Sequence, residues 1–187
     1  MVLFNIKSDG VTRRDTMNKT DFTYEELFEM AFTDELTQIA NYRKFKYSLQ
    51  EQIELSYPEN KPFAVLFMDI NHFKQVNDKH GHSTGDKLLI ECSSILKRIA
   101  NRYDEQIFRK SGDEFLLLVQ NIEHLFHMIH DIQHKLQNPL HINEKMIRCQ
   151  MSIGYSIYPI HGQTEEELFD YADKKMYLNK EPLETIK

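Results

Sequence analysis

Glycine is scarce in this chain. Six occur in 187 residues, where average usage of about 7% would place about 13. Gly10, Gly81, Gly85, Gly112, Gly154 and Gly162 are therefore each read as a place where the backbone needs to be bare. Cysteine is scarcer still. Cys92 and Cys149 form no pair-spaced motif, which suits buried thiols in a reducing cytosol better than a disulfide framework. Long apolar runs are missing. The longest, Phe63–Met68 and Phe115–Val119, fall far short of the ~20 residues a membrane span needs. Met1–Gly10 lacks the apolar core of a secretory signal, so the expected location is the cytoplasm. A basic excess is absent as well. With 29 acidic against 23 basic residues and a net charge of −6, the chain is unlike a non-specific nucleic-acid binder.

What remains is an ordinary globular composition and a length that suits one domain with a short arm. Residues 1–20 are polar and aperiodic, and Asp21–Ala31 reads as a short helix with one apolar side. Asn41–Ser56 has Phe45, Leu49, Ile53 and Leu55 expected to face inward from a helix, and Tyr57–Pro62 breaks it. Phe63–Asp69 is wholly apolar until its final acid, the pattern of a buried strand. Phe73–His80 gives one or two helical turns closed by Gly81, and Ser83 is expected to cap a helix running to about Ile99. Glu105–Lys110 and Glu114–Gln120 read as a hairpin turning at Ser111-Gly112-Asp113. Ile122–Leu136 is amphipathic, with Ile122, Leu125, Phe126, Ile129, Ile132 and Leu136 on its apolar stripe. Met146–Tyr155 is expected to be one strand, and Thr164 with Glu167 forms a capping box for a last helix. Mixed elements around a central hairpin predict an α/β (α+β) fold, a mostly antiparallel sheet flanked by helices.

Two features carry chemistry. Asp69 ends a buried strand, and Asp113-Glu114 sits at the turn of an apolar hairpin. If those strands are neighbours, three carboxylates converge at one sheet edge. Carboxylates without His or Cys suit a hard cation such as Mg²⁺, which completes its shell with water and substrate phosphates. A simple polar turn at Asp113-Glu114 is the alternative that spacing leaves open. The segment from Asp69 to Asp86 is dense in polar groups directly after the strand. Loop amides there can cradle phosphates, with Lys74 as a point charge. Asp86, near a helix start, either complements the helix dipole or accepts two hydrogen bonds from guanine.

The order of motifs resembles the GGDEF family, the diguanylate cyclase catalytic domain of bacteria. The resemblance runs from Asp34 to Lys180, leaving residues 1–33 as an arm and 181–187 as a tail. It opens with Asp34-Glu35-Leu36-Thr37, continuing to Asn41 and Arg43. The block from Asp69 to Asp86 follows the family pattern D-I-x-x-F-K-x-x-N-D-x-x-G-H-x-x-G-D at every fixed position. Ser111-Gly112-Asp113-Glu114-Phe115 stands as the signature loop after Arg109, and Ser152-Ile153-Gly154 and Ala172–Lys180 close the series. Several motifs in order are far more specific than any one of them.

The resemblance implies a nucleotide-cyclase, polymerase-palm-like fold and the condensation of two GTP into cyclic di-GMP by two domains meeting face to face. It implies Asp69, the Ile70 carbonyl, Asp113 and Glu114 as ligands of Mg²⁺ or Mn²⁺, with Asp113, Glu114 and Lys74 catalytic. Asn77, His82 and Asp86 would read guanine, Lys74 and Lys180 would hold phosphates, and Gly112 would let the hairpin approach the nucleotide. A product-inhibition site is implied at Arg102-Tyr103-Asp104-Glu105, where glutamate stands in the aspartate position. Other departures bear on activity. Ser111 replaces the first glycine of the signature, which would strain the backbone if that position needs φ > 0. Asn71 replaces a common aspartate, Gln38 and Tyr42 depart from the opening motif, and Glu181–Glu184 replaces a basic tail. Reduced rather than lost activity is expected.

A catalytically silent domain that binds GTP or cyclic di-GMP and acts through a partner is the alternative reading. Ser111 and the altered tail favour it, whereas intact Asp69, Lys74, Asn77, Asp86, Asp113, Glu114 and Lys180 favour the enzyme. His127, His130 and His134 share one flank of the Ile122–Leu136 helix. They are read as a solvated face rather than a metal site, for want of further ligands at ordered spacing. No sensor segment is recognisable in the first 33 residues, so input is expected from a partner protein, a lost segment or concentration-driven dimerisation.

Overall fold

The computed structural model describes residues 22–180. In chain order the elements are α1 (Tyr24–Phe32), β1 (Ala40–Asn41), α2 (Tyr42–Ser56), β2 (Phe63–Ile70), α3 (Phe73–His80) and α4 (His82–Arg102). Then follow β3 (Gln106–Ser111), β4 (Glu114–Val119), α5 (Leu125–Leu136), β5 (Leu140–Ile142), β6 (Lys145–Ile147), β7 (Met151–Tyr158) and α6 (Glu165–Leu178). A sheet of order β1-β3-β4-β2-β7 forms the centre, antiparallel except where β1 meets β3, and β5-β6 is a separate ribbon. This is the mixed, mostly antiparallel architecture that the sequence predicts.

β2 explains the layering. All eight of its residues are buried, because alternate side chains enter two different cores. Ala64, Leu66, Met68 and Ile70 pack with Leu88, Cys92, Ile95 and Ile99 of α4 and with Leu125, Met128 and Ile132 of α5. Phe63, Val65 and Phe67 pack on the opposite face with Phe45 and Leu49 of α2 and with Leu168, Ala172 and Met176 of α6. Asp69 continues the second row, so its side chain lies on the α6 side of the sheet. The two cysteines are free and buried, with Sγ atoms 3.3 Å apart.

Several boundaries differ from the sequence reading. Met146–Tyr155 is not one strand. Lys145–Ile147 pairs with β5, residues 148–150 leave the ladder, and β7 starts at Met151 in the main sheet. Ser83 lies inside α4, and Gly81 at φ 85° precedes the helix without a side-chain cap. The segment after β4 opens with a 3₁₀ turn at Ile122–His124. Within α5 the buried stripe is Leu125, Met128, Ile132 and Leu136; Phe126, about 100° around the helix from Leu125, falls at its edge and is 62% exposed, and Leu55 of α2, expected inward, is 70% exposed. The Thr164/Glu167 capping box is present. The expected helix from Asp21 is observed from Tyr24, and Asp21 lies outside the described residues.

Candidate active site

The register of the sheet brings the acids together. Asp69 is the Cα partner of Glu114 across the β2–β4 ladder, so the two side chains share a face. Asp113 sits in the turn before β4, and its carbonyl accepts from the Ile70 amide at 3.2 Å. Gly112 adopts φ 49°, the left-handed region where a side chain is strained, and this sharp turn places Asp113 at the strand ends. Ser111 is not in that region; it is a strand residue. The strain expected from replacing the first signature glycine therefore does not arise, because the positive φ belongs to Gly112 alone.

Lys180, just beyond α6, extends to the same point. Its Nζ lies 2.8 Å from Asp69 Oδ1, and the Asp69 side chain is 8% exposed. That oxygen is buried, and the Lys180 ammonium is its close polar contact among the described residues. Burial pushes the Asp113 carboxyl above its usual range, and the neighbouring Asp69 carboxylate adds to the rise. The contact with Asp69 holds the Lys180 ammonium up, against the opposing effect of its burial. A cation between these acids would relieve the repulsion that raises the Asp113 carboxyl, so the donor set fits a hard divalent ion. Among the described residues no three Asp, Glu, His or Cys side chains gather closely enough to hold an ion unaided. Such an ion would need water or a substrate oxygen to complete its shell.

The hairpin is held from both sides. Arg109 Nη1 donates to Asp34 Oδ1 at 2.8 Å, while its Nε and Nη2 donate to the Gly112 carbonyl at 3.1 and 2.8 Å. Burial alone would raise the Asp34 carboxyl. The hydrogen bonds from Thr37 and Arg109 outweigh it and hold the group below its usual range. On the other flank, Glu114 Oε2 accepts from Lys110 Nζ and from Ser111 Oγ, each at 2.8 Å. Below the strand end, Ser152 Oγ donates to Asn71 Oδ1 at 2.6 Å.

The α3–α4 pair lies at the end of β2 and carries the second group of predicted residues. Lys74 and Asn77 project from α3, His82 opens α4, and Asp86 is in its second turn. Gly85 is needed here, since a Cβ at that position would collide with Asn77 Oδ1. His72 precedes α3 at φ 59° with no capping side chain, leaving the first amides of that helix free of a side-chain cap. Such a helix start favours anions.

Arg102 and Glu105 face different partners. Arg102 Nη1 donates to Asp131 Oδ2 at 2.6 Å. The Glu105 carboxylate is turned inward, accepting from the Gln120 and Asn121 amides at 2.7 and 3.1 Å and lying 3.2 Å from His124 Nδ1. Of the histidines on α5, His130 and His134 stack with centroids 5.9 Å apart, and neither joins a group of metal ligands among the described residues. Sequence reasoning missed Lys110 and Asn71 as hydrogen-bonding residues, and Asp34 and Arg109 as a clamp. The only sequence signal for the last pair is their presence in the opening and signature motifs.

Paired acids at the tips of two antiparallel strands, with a helix start beside them, lie at one end of a mixed α/β domain. The family described as diguanylate cyclase, GGDEF domain, matches residues 31–184, and the chain belongs to that family. It is 37% identical over 155 residues to the bifunctional diguanylate cyclase/cyclic di-GMP phosphodiesterase MucR of Pseudomonas aeruginosa, covering 81% of this chain and 22% of that protein. It is 29% identical over 160 residues to the diguanylate cyclase TpbB of the same species, covering 82% of this chain and 36% of that one. The crystal structure of the TpbB GGDEF domain superposes with a TM-score of 0.71 at 27% identity, covering 76% of this chain and 90% of that one. A sensory box/GGDEF protein from Caulobacter crescentus gives 0.72 at 28% identity, covering 79% and 97%. The chain thus spans well under half the length of these two curated relatives. Among the described residues no helix is long and apolar enough to cross a membrane.

Proposed function

We propose that this chain is a diguanylate cyclase domain. Two copies, each holding one GTP, would meet face to face. Each 3′-hydroxyl oxygen would form a bond to the partner nucleotide's α-phosphorus as the bond to the pyrophosphate leaving group breaks. The observation that carries this reading is the convergence of Asp69, Asp113, Glu114 and Lys180 at one strand end, with buried Asp69 held 2.8 Å from the Lys180 ammonium. Mg²⁺ or Mn²⁺ held by Asp69, Asp113, Glu114 and the Ile70 carbonyl would supply Lewis-acid stabilisation of the reacting phosphoryl group.

The remaining work falls to the protein's own groups. Lys180 and Lys74 would neutralise phosphate charge, and the free start of α3 would receive phosphate oxygens. Asn77 and Asp86, with His82 nearby, would pair with guanine. Asp86 would accept from two donors that adenine does not offer. Asp113 would accept the proton of the 3′-hydroxyl, which the bound cation would acidify. Product feedback through Arg102 and Glu105 is no part of this reading, because the Glu105 carboxylate already serves two backbone amides.

One observation favours a second reading, a silent regulatory domain. Two relatives, NbdA of P. aeruginosa and PdeR of Escherichia coli, at 30% and 32% identity, are named cyclic di-GMP phosphodiesterases. Incubation of the protein with Mg²⁺ and GTP separates the two readings. A cyclase releases cyclic di-GMP and pyrophosphate; a silent domain binds GTP and leaves it intact.

A further inference from the structure

The signature hairpin of this chain reads Lys110-Ser111-Gly112-Asp113-Glu114. The first two of these residues both donate to one oxygen of the last, Glu114 Oε2. We propose that Ser111 is a positioning residue for Glu114, an inference that rests on reading Glu114 as a metal ligand. Serine here is not a damaged glycine. Its hydroxyl replaces freedom of the Glu114 side chain with a fixed rotamer.

Three observations support this. First, the ladder shifts register between Arg109 and Ser111, so that Ser111, not Lys110, becomes the Cα partner of Glu114. The irregularity aims the hydroxyl at the carboxylate, which is what a bulge beside an active site does. Second, Lys110 is not a swinging surface cation. Its ammonium lies 5.0 Å from the Phe67 ring centroid and 5.5 Å from that of Phe169, within cation–π range of both. Its anchorage fixes where Oε2 can sit, and the serine bond fixes the rotation about that point. Third, among the described residues Glu114 Oε1 has no donor. One oxygen is tied back and the other is left for a ligand, the division of labour expected of a carboxylate oriented by outer partners. Glycine at 111 could make no such bond, and the backbone there does not require glycine.

The consequence is that restoring the usual glycine should weaken the site. The test uses Mn²⁺ with a GTP analogue carrying an α,β-methylene bridge, which cannot be condensed. Free Mn²⁺ is followed by electron paramagnetic resonance on the full chain. Ser111→Ala and Ser111→Gly should each weaken Mn²⁺ binding by about tenfold, and Ser111→Thr, which keeps the hydroxyl, should retain it. In a Glu114→Ala background, Ser111→Ala should have no further effect, since the carboxylate that it orients is gone. Melting temperatures of the Ser111 variants should match the parent, which separates positioning from folding. Equal or tighter Mn²⁺ binding by Ser111→Gly, or an undiminished Ser111→Ala effect without Glu114, would overturn the proposal. Absence of Mn²⁺ uptake by the parent protein overturns the metal reading itself, and the proposal with it.

Discussion

The two halves of the site are built differently. The hairpin end is fixed before any ligand arrives. Arg109 ties the Gly112 carbonyl to Asp34, and Lys110 with Ser111 ties Glu114. The α3–α4 end is open. α3 has no buried residue, and Lys74, Asn77, His82 and Asp86 make no side-chain hydrogen bonds among the described residues. The difference follows from chemistry. Metal chemistry needs charges held in place in advance, because like charges must be forced together and then neutralised. Base recognition can wait for its ligand, because guanine itself supplies the missing hydrogen bonds.

Substitutions at the two ends should therefore fail in different ways. The largest effect is expected from Asp113→Asn, which should lower turnover by about two to three orders of magnitude in a pyrophosphate-release assay. GTP binding by calorimetry without added divalent metal should change little, because Asp113 would reach the nucleotide through the metal. Asp86→Ala should do the converse. Selectivity for GTP over ATP should fall by about a hundredfold, carried by KM, with unfolding unchanged. Next comes Arg109→Lys. A point charge cannot span both Asp34 and Gly112, so a loss of about 2 kcal/mol is expected in urea unfolding. The smallest effect belongs to Asp34→Asn, about 1 kcal/mol for a part-exposed pair. Its pH dependence has a definite sign. The folded-state carboxyl is held below its usual value, so its contribution is present at neutral pH and lost as pH falls through that depressed value. The Asn variant should lack that part of the acid destabilisation.

Much of this fold was legible because β2 is apolar on both faces and ends in an acid, a pattern that a surface strand or helix does not produce. Its neighbour was misread for the opposite reason. Apolar residues continue from Met146 to Tyr155, but Arg148–Gln150 carry the chain from the β5–β6 ribbon to the central sheet. Alternation reports burial, not which sheet provides it. Phe126 was misplaced because it sits about 100° around the helix from Leu125, at the edge of the stripe that Leu125, Met128, Ile132 and Leu136 bury. In the site, residue identities were readable from motif order, but the contacts were not. Arg109 meets Asp34 across 75 positions of sequence. Ser111 looked like strain because sequence does not reveal which residue of a tight turn takes positive φ; Gly112 takes it here.

The central claim is that two copies of this domain complete one reaction. Initial rates of cyclic di-GMP formation, measured with Mg²⁺ and saturating GTP over a wide range of protein concentrations, test it most directly. The account predicts product, with a rate that rises as the square of protein concentration while the domains are mostly apart. Bound GTP with no cyclic di-GMP at any concentration would contradict it.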